Sequence, residues 1–131
     1  MLRALAVVLA TAALVPAAGA SQQRGFAFGR SGGNIQPFRV VIATDGNVQV
    51  TGAAHTGRSH LTRIQLGELN RIAAINSFGT LPSSTNCAGT LPDVAATFIR
   101  VGPRTVSVHG GCVAAYQRLW TALTHTVGLS T

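Results

Sequence analysis

Cys112 and His109 form the one arrangement in this 131-residue chain that resembles an active site. A cysteine nucleophile needs a free thiolate and a nearby base. Cys112 stands where a helix is expected to open, and a helix N-terminus lowers a thiol's pKa. His109 lies three residues upstream. The same position suits a structural bond. Two cysteines in an exported chain usually pair, and a disulfide Cys87–Cys112 is the expected outcome, leaving no thiol for catalysis. The chain-entropy argument gives about 3–4 kcal/mol for a loop of this length.

The remaining chemistry-bearing residues are sparse. His55, His60, His109 and His125 lack the HxxxH or HxH spacing of a zinc site, and three or four ligands must converge to make one. The acids are Asp45, Glu68 and Asp93. Asp45 belongs to a turn, Glu68 to a helix and Asp93 to the head of a strand, so none is placed behind a histidine as a triad requires. There is no G-x-S-x-G elbow, no calcium loop and no phosphate-binding loop of the Walker type. No catalytic residue, metal ligand or cofactor site is expected.

Alternation and turn chemistry describe the elements that would hold these residues. Gly25–Arg30 and Ile35–Ala43 read as strands, separated by a turn at Ser31–Asn34. Asp45-Gly46 between alternating apolar runs predicts a type I′ hairpin into Val48–Thr51. Gly52–His60 reads as a loop. Leu61–Ser77 reads as a helix with Leu66, Leu69, Ile72 and Ala73 inward and a Thr62–Gln65 capping box. Thr80–Pro92 reads as a loop, Asp93–Val101 and Thr105–His109 as a hairpin, and Cys112–Val127 as a closing helix with Gly128 at its end. Phe26, Phe28, Phe38, Phe98 and Trp120 occupy core-like positions. The order βββ-α-ββ-α predicts a small single α+β domain: a mostly antiparallel sheet with two helices packed on one face and one disulfide.

The first twenty residues predict export. Met1–Arg3 is a short positive segment, Ala4–Ala18 an apolar run, and Ala18-Gly19-Ala20 a small-x-small cleavage site. Residues 1–20 are therefore expected to leave as a signal peptide. Residues 21–131 remain as the mature domain, secreted or extracytoplasmic, with no transmembrane anchor after cleavage. That domain carries nine arginines, no lysine and three acids, a net charge of +6. Arginine without lysine in a chain rich in Ala, Gly, Val and Thr reads as the codon bias of a GC-rich bacterial genome. The arginines are spread along the chain, so only folding could gather them into a surface for anionic polymers, lipid or nucleic acid.

The layout resembles the emfourin-type inhibitors of thermolysin-like metalloproteases, and related small bacterial domains with no assigned role. The carriers are Ser31-Gly32-Gly33 after a first strand, a second strand ending at Asp45-Gly46, the Leu66/Leu69/Ile72 helix, Pro92-Asp93 before a hairpin, and a closing helix with Leu119 and Leu123. The similarity spans most of residues 25–127; the cysteine pair and the export signal depart from that type. The resemblance implies a non-enzymatic protein-binding module, with a secreted protease as the kind of partner, and carries over no functional residue. Thr80–Pro92, tied at Cys87, is the expected binding surface and Gly52–His60 the second. The alternative is a basic cell-surface protein that binds an anionic ligand.

Overall fold

The computed structural model describes residues 23–131. The expected signal peptide lies outside the described residues. Eight strands and two helices follow in the order β1 (Phe26–Ser31), β2 (Phe38–Ile42), β3 (Val48–Gly52), β4 (His55–Thr56), α1 (Arg63–Ile75), β5 (Ser84–Asn86), β6 (Ala96–Val101), β7 (Arg104–His109), α2 (Ala114–Val127) and β8 (Leu129–Ser130). Six strands form one sheet in the order β3-β2-β1-β6-β7-β5, and β4 pairs with β8 in a small second ribbon. All pairings in the large sheet are antiparallel except β5 with β7. The domain is therefore the expected α+β type, with a sixth strand that alternation did not signal.

Period-two alternation decides which sheet face is buried. Phe28 on β1 stands between Val40 on β2 and Ile99 on β6, and all three are fully buried. Val106 and Val108 extend that row onto β7. The helices lay Leu66, Leu69 and Ala73 of α1, and Tyr116, Leu119, Leu123 and Val127 of α2, against this face. Trp120 meets Phe28 edge-on, with centroids 5.6 Å apart, and stacks on Tyr116 at 6.4 Å. Phe98 departs from expectation. It neighbours Ile99 and so points to the opposite, uncovered face, where it is half-buried against Gly29 and Ser107.

Local signals hold with corrections. The capping box is formed: Thr62 Oγ1 accepts from the Gln65 N–H at 3.1 Å, and Gln65 Oε1 accepts from the Thr62 N–H at 2.9 Å. The Asp45-Gly46 hairpin exists but is not type I′, which needs positive φ at both residues. Gly46 alone takes it, at φ 96°. The turn closes from the Gly46 N–H to the Ala43 carbonyl, and Asp45 Oδ1 accepts the Asn47 N–H. That is a β-turn followed by a glycine bulge. The strand expected from Ile35 begins only at Phe38, because Pro37 has no N–H to give the ladder; β2 lies between β3 and β1. Cys112 lies before α2, whose N-cap is Val113. Gly52–His60 contains β4, and Thr80–Pro92 contains β5. Asp93 and Val94 belong to a turn before β6.

Tyr116 is fully buried, with its hydroxyl donating to Thr97 Oγ1 at 2.9 Å. Burial pushes its phenol up to about 12. The unfolded chain ionises near 10, so it loses this proton first as pH rises. Folding stability should be unaffected below pH 10 and fall by roughly 1–3 kcal/mol between pH 10 and 12. Urea denaturation across that range should show the fall, and Tyr116→Phe should flatten it. An equal decline in both proteins would contradict the assignment.

Candidate functional site: the disulfide end of the sheet

β7 ends at His109, and Gly110 follows at φ 107°. A Cβ at Gly110 would stand 2.4 Å from Thr90 Oγ1 and 2.7 Å from Cys87 Cβ. Only glycine lets the chain turn here with Cys87 packed beneath it. Cys87 leaves β5 with its N–H on the His109 carbonyl at 2.9 Å. It is bonded to Cys112, with Cα atoms 5.7 Å apart, and its Sγ accepts the Cys112 N–H at 3.1 Å. The bond therefore fastens the short parallel edge strand to the approach of α2.

His109 is held on both sides. Its Nε2–H donates to the Val94 carbonyl at 2.8 Å, and its other ring nitrogen, Nδ1, meets the side-chain amide of Asn86 at 3.0 Å. The pair that resembled a nucleophile and its base is thus an oxidised cysteine and a ring that pins β5, β7 and the 91–94 turn together.

Leu91-Pro92-Asp93-Val94 is a hydrogen-bonded β-turn, closed from the Val94 N–H to the Leu91 carbonyl at 3.1 Å. Pro92 occupies the second position, where its fixed φ favours such turns. The β1–β2 connection lies against it. The Asn34 N–H donates to the Asp93 carbonyl at 3.2 Å. Gly33, at φ 61°, passes so close that a Cβ would stand 2.4 Å from that same oxygen. Leu91, Val94 and Ile35 are 63%, 43% and 46% exposed on these two loops. They are large apolar side chains that the core does not take.

The other residues singled out in the sequence lie apart from this end. His55 is exposed on β4, His60 Nδ1 is 3.1 Å from Asn47 Oδ1, and His125 sits in the last turn of α2. Among the described residues no three His, Cys, Asp or Glu side chains come together as metal ligands. Glu68 pairs with Arg71 on the surface of α1. The arginines are not gathered into one patch. Arg118 donates to Asn76, Arg58 to the Thr126 carbonyl and Arg104 to the Leu81 carbonyl. Arg24, Arg71 and Arg104 border a cleft of about 940 Å³ between α1 and the β6–β7 turn. Arg39 and Arg100 lie on the uncovered sheet face. No helix among the described residues is long and apolar enough to cross a membrane.

Leu91 and Pro92 close the Thr80–Pro92 segment expected as a binding surface, whereas Asp93, Val94 and Ile35 lie outside both expected surfaces. The signal available was Leu-Pro-Asp-Val itself, a turn sequence with apolar residues at both ends. Neither a protein-family model, nor a curated protein, nor a solved structure matches this chain.

Two outcomes follow from the geometry. Gly33→Ala should cost at least about 1 kcal/mol, from the left-handed backbone and the collision together. It should also raise amide exchange at Asn34 and Val94 selectively; unchanged exchange there would contradict the contact. Cys87→Ser with Cys112→Ser should cost about 2–4 kcal/mol and leave the fold intact. Limited proteolysis should then cut first between Thr80 and Pro92, and an equally resistant segment would mean the bond does not anchor it.

Proposed function

We propose that this protein is an extracytoplasmic, non-enzymatic protein-binding module of the protease-inhibitor type, whose contact surface is the Leu91–Val94 turn together with Ile35. One observation carries the reading. Three large apolar side chains are exposed on two loops that are tied to each other by backbone hydrogen bonding and to the sheet by His109, with the disulfide four residues upstream of Leu91. Ordering a loop upon binding subtracts from affinity, and a loop already held in place avoids that loss. Protein interfaces place an apolar centre within a polar rim; here the exposed Asn34, Gln36 and Asp93 adjoin the three apolar residues in sequence. The apolar leader and the disulfide both favour an oxidising, exported setting. The emfourin-like layout favours a secreted metalloprotease as partner, its apolar subsites receiving Leu91 or Val94.

Incubation of residues 21–131 with a panel of secreted metalloproteases tests this reading. Inhibition is expected at micromolar excess, weakened at least tenfold (about 1.4 kcal/mol,) by Leu91→Asp or Val94→Asp with an unchanged circular dichroism spectrum. No inhibition by the unsubstituted protein would remove the inhibitor reading. Inhibition indifferent to both substitutions would place the contact surface elsewhere.

A further inference from the structure

The sheet face that the helices leave uncovered carries a second feature, independent of the 91–94 turn. Gly25, Ala27 and Gly29 place small or no side chains along the uncovered side of β1, the strand flanked by β2 and β6. A furrow follows from this toward Gly102; at Gly29 the Phe98 ring, with the Arg39 guanidinium over it, closes it. One wall is Arg39 and Val41 on β2, the other Phe98 and Arg100 on β6. The walls stand two strand spacings apart, roughly 10 Å. The end of the furrow nearest Gly102 is a cavity of about 310 Å³ bordered by both Arg39 and Arg100, at the lower end of the range that holds small ligands.

Both arginines are oriented without an acid. Arg100 donates its Nε–H to the Gly102 carbonyl at 2.8 Å, a bond that does not use its two terminal nitrogens. The Arg39 guanidinium lies over the Phe98 ring, 5.1–5.4 Å being the range of such contacts here and 5.4 Å its own distance. A guanidinium held on an aromatic face is already positioned to bind an oxyanion. Among the described residues no acid lines this cavity. Asp45 is turned to the Asn47 N–H and side-chain amide, Glu68 pairs with Arg71 on the helix side, and Asp93 lies in the turn at the other end of the sheet.

We infer that the Arg39–Arg100 furrow is a binding site for an organic phosphate monoester. Two guanidinium groups border one cavity that no acid among the described residues lines; together they match a dianion better than a monoanion, and a phosphate monoester carries close to two charges near neutral pH. Guanidinium groups engage phosphate oxygens through paired N–H donors. Val41, half-buried beside the buried Ala27, offers an apolar wall for a compact organic body next to the phosphate.

The test is titration of the ¹⁵N-labelled mature protein at pH 7.5 with phenyl phosphate, inorganic phosphate and benzoate in separate arms. Phenyl phosphate should give saturable amide shifts confined to Gly25–Gly29, Val41–Thr44 and Arg100–Gly102, weakening as salt is raised. Arg39→Gln and Arg100→Gln should each weaken it about tenfold, while Arg63→Gln on α1 should leave it unchanged. Shifts scattered over all arginines, or an equal loss in Arg63→Gln, would overturn the site in favour of diffuse charge. Benzoate binding as tightly as phenyl phosphate would overturn the preference for a dianion. Inorganic phosphate binding as tightly would overturn the role of the apolar wall. Protease inhibition is scored on a different surface, so either proposal can fail alone.

Discussion

Burial of one sheet face under two helices is the constraint on which the rest of this domain depends. Phe28, Val40, Ile99 and Val106 can be removed from water only if a continuous apolar layer covers them. Leu66, Leu69, Leu119 and Leu123 supply that layer from α1 and α2. Each buried aliphatic or aromatic side chain is worth about 1.5–3 kcal/mol relative to exposure, so this shared surface outweighs any single turn or cap. It also settles the polar side of the molecule. Residues that alternate away from the helices must tolerate water, and Arg39, Gln49, Thr51, Arg100 and Thr105 do.

A sheet covered on one side has two edges to protect. At β3, the Asn47–His60 bridge and the Val48 N–H bonded to the Ser59 carbonyl occupy part of the outer edge, while the β4–β8 ribbon ties the end of the chain nearby. At the other side the solution is covalent. β5 has three residues and one pairing partner, too little to hold an edge by hydrogen bonds alone. The disulfide to Cys112 fixes its end, Gly110 makes room for it, and His109 joins it to the 91–94 turn. The residue types that suggested thiol chemistry are thus assigned to closing an edge.

The two surfaces that result differ in character. The disulfide end presents apolar side chains on short loops whose backbone is already bonded. The uncovered sheet face presents arginines on a rigid pleat, with Phe98 beneath one of them. Phe98 also lies across Gly29, covering backbone that a bare glycine would leave open on the strand. Shape and charge separate the two surfaces: the first is apolar and on loops, the second cationic and on strands.

Much of the fold was legible in the sequence because its carriers are local. Period-two runs located the strands of the two hairpins, helical spacing located both buried stripes, and the Thr62–Gln65 box formed as its spacing requires. Pairing of Cys87 with Cys112 was legible because there was no other cysteine to choose. What depended on distant parts of the chain was not legible. β5 is a strand only because β7 lies beside it, since Ser84, Thr85 and Asn86 carry no alternation of their own. Phe98 looks like a core residue until its register with Gly29 and Ser107 turns it to the uncovered face. The turn at Asp45-Gly46 was located but its type was not, because the Asn47 N–H could bond the Asp45 carboxylate within a longer loop. Both candidate sites join residues from separate strands and loops: Ile35 with Leu91 and Val94, and Arg39 with Arg100. Sequence determined which of these side chains are apolar and which are charged. Only the tertiary structure decided which stand together, because strand order and register bring them within reach across dozens of residues of chain.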